Sequence, residues 1–144
     1  MIETLQVLDA SPASLVVGAN ELAAAIDACL TCVQACTVCA DSDLVEEDIG
    51  TLRTCIALNQ VCADICDTTA RVLSRPAQGD NLTVRLLLET CVRACTVCEQ
   101  ECALHAAHHR HCAVCAEACR ECIQACTVLL NTEVFQATRP SSDA

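Results

Sequence analysis

The stretch CAVCAEACRECIQAC, residues 112–126, places five cysteines at steps of three, four, three and four residues. This spacing follows one face of an α-helix, the seam that leucine and isoleucine normally occupy in a helical bundle. Side chains three and four residues apart on a helix are neighbours, so these thiols form one continuous stripe. The stretch therefore predicts an α-helix whose core-facing side chains are thiols.

The same spacing recurs in three earlier segments, so that all the cysteines fall on four helical stripes. CVQACTVC (32–39) and CVRACTVC (91–98) differ at one position, and VCADIC (61–66) matches VCAEAC (114–119) at four positions of six. This internal repeat indicates a duplicated helical hairpin, and two hairpins that close face to face give an antiparallel four-helix bundle. The sixteen seam positions are Cys29, Cys32, Cys36, Cys39, Cys55, Cys62, Cys66, Cys91, Cys95, Cys98, Cys102, Cys112, Cys115, Cys119, Cys122 and Cys126.

We therefore predict an all-α, single-domain fold with a cysteine-lined core. Polar segments after Cys39 and around Pro76, and a tight turn at 106–109, separate the helices. A short helix is expected to begin at Pro12, with Ser11 as its cap. The expected helices span residues 20–40, 45–73, 82–106 and 109–133; the bundle spans 20–133, between an N-terminal segment (1–19) and a disordered tail (134–144).

Composition and charge exclude several classes of protein. The chain has 144 residues with 16 Cys but only 3 Gly and 3 Pro, too few for a loop-rich disulfide scaffold. A net charge of −11 argues against binding to nucleic acid or to an anionic lipid surface. We expect no membrane span, and the acidic first ten residues do not resemble a secretory signal. The sequence thus favours a cytosolic protein with reduced thiols, where many cysteines indicate metal or redox chemistry.

The two ends of the predicted bundle differ in chemistry. At the end that holds the start of the first helix, the stripes continue as leucine, isoleucine and valine, which predicts an apolar plug. At the opposite end lies the histidine-rich turn, which predicts an imidazole-lined mouth. The plug residues are Leu22, Ile26, Leu73, Val84, Leu88, Leu129 and Leu130.

Charge favours Cu(I) among the soft metals that thiolates select. Sixteen thiolates would bring a charge of −16 into the bore, and four Zn(II) ions would leave −8 uncompensated. One Cu(I) per thiolate would make the bore neutral. Two sulfurs that flank one ion lie ~4.6 Å apart if the zinc–sulfur distance is used. Side chains three or four residues apart have Cβ atoms ~5–6 Å apart, so one helix can hold an ion between two of its cysteines. A tetrahedral site would instead need sulfurs that converge from several helices.

Three other functions remain open at this point. An iron–sulfur electron carrier would use cysteine runs such as C-x₂-C-x₂-C-x₃-C-P, yet no cysteine here precedes a proline. A zinc or thiol buffer would bind about four ions at Cys₄ sites. A dithiol oxidoreductase would need a Cys-x-x-Cys motif after a strand, and the five such motifs here are explained by helical spacing. No catalytic step is expected.

The four histidines and one asparagine are further candidate ligands. His105 and His109 continue the thiol stripe, and His108 lies one helical turn before Cys112. Imidazole binds copper less strongly than thiolate and suits an entrance. Asn59 fills the gap between Cys55 and Cys62, where it would offer a carbonyl oxygen to an ion or make a hydrogen bond in the core.

With these four cysteine stripes and HAAHHRHCAVCAEACRECIQAC at 105–126, the chain resembles the cytosolic branch of the bacterial copper storage proteins over residues 20–133. The resemblance implies a four-helix bundle, association into tetramers, and many Cu(I) ions inside each bundle. It also implies that the sixteen seam cysteines are ligands and that His105, His109 and His111 lie at the mouth. A copper chaperone or a low-molecular-weight thiol is an expected donor or acceptor. The second helix departs from the family pattern, because it has three cysteines and Asn59.

Overall fold

The computed structural model describes residues 1–77 and 80–138. Four long helices and two short ones make up this part of the chain, together with a single 3₁₀ turn at Ile49–Thr51. The α-helices are α1 (Thr4–Asp9), α2 (Ala19–Asp43), α3 (Arg53–Leu73), α4 (Asn81–His105), α5 (Arg110–Leu130) and α6 (Glu133–Ala137).

The long helices α2, α3, α4 and α5 form an antiparallel bundle, as predicted. Helix α2 packs against α3 and α5, and α4 packs against the same two helices, which gives a square arrangement. The sulfur contacts establish the directions. Cys29, in the first half of α2, touches Cys126 near the end of α5, whereas Cys39 near the end of α2 touches Cys112 near the start of α5. The cysteine-lined core of the all-α fold is thereby confirmed.

The connection between α2 and α3 is longer than the sequence predicted. Helix α2 continues to Asp43 rather than ending at residue 40, and α3 begins at Arg53 rather than at residue 45. The intervening 3₁₀ turn is held by the Thr51 hydroxyl, which donates to the Asp48 carbonyl at 2.9 Å. By contrast, the predicted turn at 106–109 between α4 and α5 is confirmed.

The segments outside the bundle differ from their predicted structure. The short N-terminal helix spans Thr4–Asp9, so the expected start at Pro12 is wrong. Its first turn is stabilised because the backbone amide of Glu3 donates to Gln6 Oε1 at 2.8 Å. The tail from residue 134 was expected to be disordered, but up to Thr138 this is wrong, because helix α6 lies here and its Phe135 is buried. Residues 139–144 of the expected tail lie outside the described residues.

One end of the bundle is apolar, as predicted. Leu22, Ile26, Leu73, Leu88 and Leu129 are at most 4% exposed. Val84 and Leu130 are partly buried against the same core, and α6 adds Phe135 to it. This packing closes the end of the bundle opposite to the histidines.

Helix α2 has the length and the apolar composition that a membrane span requires. Nearly half of the most apolar stretch of this helix is buried inside the protein. Burial of this kind is typical of a core helix in a bundle.

Candidate metal centre

All sixteen cysteines are free thiols, and none is more than 1% exposed. The prediction that the thiols face inward from all four long helices is therefore confirmed. Cys is a small hydrophobic residue, so these side chains also form most of the packed core. Burial of this kind keeps the sulfurs away from solvent and close to one another.

The sulfurs approach one another closely between helices as well as within them. Cys32 Sγ lies 3.8 Å from Cys62 Sγ and 3.8 Å from Cys119 Sγ, so a single thiol contacts two neighbouring helices. The shortest of these contacts, 3.5 Å, joins Cys66 and Cys95. The contacts extend along the bore from the apolar plug towards the mouth and form a ladder of sulfur atoms, in which the Asn59 amide, rather than a sulfur, links Cys55 and Cys102 to Cys98 and Cys115.

Sets of four sulfurs lie within 4.8 Å of one another at successive levels of the bore. The convergence of sulfurs from several helices that a tetrahedral site needs is therefore present at these levels, because four helices surround a narrow core. Neighbouring sets share members, however, which is typical of bridged clusters rather than of separate Cys₄ sites. Four of the sets are Cys29–Cys91–Cys122–Cys126, Cys32–Cys66–Cys95–Cys122, Cys32–Cys36–Cys62–Cys119 and Cys36–Cys98–Cys115–Cys119.

Asn59 is fully buried among thiols at the level where α3 lacks a cysteine. Its Oδ1 accepts hydrogen bonds from Cys98 at 3.0 Å, Cys115 at 3.2 Å and Cys102 at 3.5 Å. Its Nδ2 donates to Cys55 Sγ at 3.5 Å. The amide oxygen thus occupies the place of one sulfur in the ladder. It accepts hydrogen bonds from thiols there, and the same position would allow it to bind a metal ion.

The mouth of the bore is formed by Cys39, Asp43, His111 and Cys112, whose ligand atoms form one compact group. His111 Nδ1 lies 3.3 Å from Cys39 Sγ and 3.6 Å from Cys112 Sγ. The carboxylate of Asp43 is fully buried, with Oδ1 3.6 Å from His111 Nδ1. Two thiols, an imidazole and a carboxylate therefore converge where the sulfur ladder meets the surface.

His109 and the α2–α3 connection form an outer layer above this group. His109 is the residue before α5 and has an extended backbone, so it no longer continues the thiol stripe. Its Nε2 lies 2.9 Å from Asp48 Oδ2, and its Nδ1 lies 3.4 Å from Glu46 Oε2. Its ring stacks on that of His111 with centroids 5.4 Å apart. Both ring nitrogens of His109 face carboxylates, so neither nitrogen points into the bore in this arrangement.

The other two histidines stand apart from the sulfur ladder. His105 Nε2 pairs with Glu101 Oε1 on its own helix at 3.1 Å. His108 is exposed on the turn between α4 and α5. The histidine that contacts thiols is therefore His111, which the thiol stripe alone did not predict.

Local electrostatics separates the groups at the mouth. The hydrogen bond to Asp48 raises the pKa of His109, and the same bond lowers the pKa of the Asp48 carboxyl. Burial disfavours charge, so it raises the pKa of Asp43 and of the Cys112 thiol above their ordinary values. Asp43 and Cys112 in the inner group thus favour their neutral forms, whereas His109 and Asp48 in the outer layer favour their charged forms.

Sequence reasoning missed the acidic residues of the mouth. No role at the mouth was predicted for Asp43, Glu46 or Asp48, which lie in the polar segment after Cys39. Asp48 contacts His109, which lies 61 positions further along the sequence, and Glu46 contacts His111, which lies 65 positions further. The only local signal is that five acidic residues, at positions 41–48, follow directly after a cysteine stripe.

Comparison with known proteins agrees with this geometry. The sequence profile of the copper storage protein family, Csp, matches residues 18–131. The chain is similar to the copper storage protein Ccsp from Streptomyces lividans in a structure loaded with 10 copper equivalents, with 46% identity and a TM-score of 0.86 over 88% of this chain and 97% of that one.

Two further solved structures extend the comparison. A Streptomyces lividans protein described as a cytosolic copper storage protein, with five coppers, is 48% identical, with a TM-score of 0.77 over 78% of this chain and 94% of that one. The Cu(I)-bound copper storage protein BsCsp3 is 32% identical, with a TM-score of 0.65 over 73% of this chain and 93% of that one. Sequence profile, fold and cysteine-lined core together show that the chain belongs to the copper storage protein family.

Proposed function

We propose that this chain stores Cu(I) in the cytosol, with a capacity that approaches one ion per core thiol. The observation that carries the proposal is the ladder of sixteen buried, reduced cysteines, which Asn59 interrupts at one level. Thiolates bind Cu(I) strongly, and linked sulfurs allow an ion to move from one pair to the next. Relatives of known cytosolic location and known copper content support the assignment.

Charge balance supports Cu(I) as the cargo. A thiol loses its proton when it binds a metal, so sixteen bound sulfurs carry −16. Uncompensated charge in a buried bore is very unfavourable. One monovalent ion per sulfur neutralises the charge of the bound sulfurs completely, whereas four divalent ions neutralise only half of that charge.

The proposed ligands follow from position along the bore. The sixteen seam cysteines are proposed to hold most of the copper, with His111 completing the group at the mouth. His105 and His109 are proposed to assist entry after they release their carboxylate partners. Asn59 is proposed as a weak oxygen ligand beside Cys98 and Cys115, while the exposed position of His108 supports at most transient contact with an incoming ion.

Storage requires no catalytic step, and we propose that the protein has none. Copper is proposed to arrive and leave on a copper chaperone or a low-molecular-weight thiol at the histidine end. We also propose a homotetramer, which gel filtration with light scattering would test. Apolar side chains on the outer faces, such as Leu30, Val38 and Val61, are about half exposed and are available for such an interface.

The proposal is tested by anaerobic titration of the reduced protein with Cu(I), followed by gel filtration and metal counting. We expect copper to remain with the protein up to a ratio that approaches sixteen per chain. Saturation at two or three ions would contradict storage.

A zinc or thiol buffer is the second candidate, because sets of four sulfurs converge at several levels of the bore. Parallel titration with Zn(II) separates the two candidates. A buffer of this kind would saturate near four zinc ions per chain and would hold zinc against competition by Cu(I). Copper that displaces all bound zinc would instead favour storage of Cu(I).

A further inference from the structure

Glu46, in the connection between α2 and α3, bridges the two stacked histidines of the mouth. Its Oε1 lies 3.1 Å from His111 Nε2, and its Oε2 lies 3.4 Å from His109 Nδ1. The carboxylate of Glu46 contacts these two rings, and the backbone N–H of Glu46 donates to the Asp43 carbonyl at 3.3 Å. Its effect on copper would therefore be indirect.

The contacts of His111 determine which ring nitrogen carries the proton in the neutral form. A carboxylate only accepts hydrogen bonds, so the 3.1 Å contact with Glu46 requires a proton on Nε2. On the other side of the ring, the Asp43 carboxylate is 3.6 Å from Nδ1, too far for a good hydrogen bond. The shorter contact therefore determines the tautomer.

With the proton on Nε2, the lone pair of Nδ1 points at the thiols. Nδ1 lies 3.3 Å from Cys39 Sγ and 3.6 Å from Cys112 Sγ, and these two sulfurs lie 3.7 Å apart. The lone pair is then able to bind a metal ion together with two thiolates. With the proton on Nδ1, the same ring would offer no ligand to the bore.

We propose that Glu46 is a positioning residue for copper uptake, which holds His111 as the Nε2–H tautomer so that Nδ1 faces Cys39 and Cys112. Residues that orient a metal-binding histidine through its second nitrogen commonly change metal affinity or activity by ~10–100-fold when they are replaced. This proposal rests on the proposed copper storage and adds the residue that prepares its entrance.

Three variants test the proposal. Glu46→Ala removes the acceptor, Glu46→Gln keeps an oxygen that accepts from Nε2–H, and Glu47→Ala removes an equal charge from the exposed neighbouring residue. The first readout is the tautomer of His111 in the copper-free protein, measured from imidazole ¹⁵N shifts. The second is the initial rate of Cu(I) uptake, followed by stopped-flow absorbance of the copper–thiolate bands.

At alkaline pH, where the His111 ring is neutral, we expect the Nε2–H tautomer in the unmodified protein and in Glu46→Gln, and a mixture of tautomers in Glu46→Ala. Initial uptake should be about 10-fold slower in Glu46→Ala, near normal in the other two variants, and final loading should be unchanged in all three. A proton on Nδ1 in the unmodified protein would overturn the proposal, even if Glu46→Ala failed to fold.

Two rate results would also overturn it. Equal slowing in Glu47→Ala would assign the effect to bulk attraction of cations, and slowing in Glu46→Gln equal to that in Glu46→Ala would assign it to the charge of residue 46. Failure of copper storage itself would appear separately, as low final loading of the unmodified protein. The tautomer measurement needs no copper and is independent of that result.

Discussion

At the scale of single residues, Asn59 marks the one level where α3 presents an amide to the sulfur ladder. Asn59→Cys should add a seventeenth ligand beside Cys98 and Cys115 and raise capacity by about one Cu(I) per chain, because each added thiolate balances one monovalent ion. Anaerobic titration with metal counting in the presence of a copper chelator measures the change. Val61→Cys, on the outward face of α3, is the matched control and should not raise the retained copper.

An unchanged capacity in Asn59→Cys would contradict this interpretation of the bore. It would mean that cluster geometry, rather than the number of thiols, limits the copper content.

Residues of the site differ in how far the sequence reveals them. The cysteines were predictable because their direction follows from the helical period alone, and all of them face the core. Asp43 and Glu46 were not, because a carboxylate is buried or paired only when a distant segment packs on it. The partner of both is His111, which lies on another helix of the bundle.

At the scale of elements, the apolar ends of the helices hold the bundle together where thiols are absent. Leu88→Ala should lower the free energy of unfolding of the copper-free protein by about 2–5 kcal/mol, because Leu88 is fully buried in the plug. Leu86→Ala, on the exposed face of the same helix, should cost at most about 0.5 kcal/mol. Urea unfolding followed by circular dichroism measures both, and equal losses would show that the plug is not a packed core.

The pairing of the α2–α3 connection with the start of α5 should depend on pH. His109 has a raised pKa in the folded protein, so its contribution is complete below its unfolded value of 6.5 and is lost as pH rises through the folded value. Asp48 has a lowered pKa, so its contribution is complete above 3.8 and is lost as pH falls through the folded value. The pair therefore stabilises the protein most between these two values.

His109→Ala should accordingly lower Tm most between about pH 4 and 6.5, and less at pH 9. Thermal unfolding of the copper-free protein across this range measures the difference from the unmodified chain. A difference that stays constant with pH would show that the ion pair contributes nothing and that only packing is lost.

The bounds of the elements were predicted with unequal success at the two connections of the mouth. The turn after α4 was predicted correctly because a single helix through it would be too long for a compact domain. The 3₁₀ turn at Ile49–Thr51 was not, because its side-chain bonds to Asp48 compete locally with helix formation. Helix α6 was missed because one buried aromatic, Phe135, is too short a signal to indicate a helix.

At the scale of the whole molecule, loading should leave the net charge near −11, because each Cu(I) replaces one proton. Burial raises the pKa of thiols such as Cys112, so these groups are neutral before copper arrives and their protons must leave on binding. Copper affinity should therefore rise with pH. Proton release measured in a weakly buffered titration should be close to one per Cu(I), and mobility on a native gel should hardly change between the empty and the loaded protein.

Zinc gives the contrasting result that makes this measurement decisive. Four Zn(II) ions at Cys₄ sites would displace sixteen protons, about four per ion, and would make the protein more negative by 8 charges. The zinc-loaded protein should therefore migrate faster than the empty form. Two results would contradict the charge argument for Cu(I): release of well over one proton per Cu(I), or a clear gain in mobility on copper loading. Either result would mean that the bore is still negatively charged after it has filled with copper.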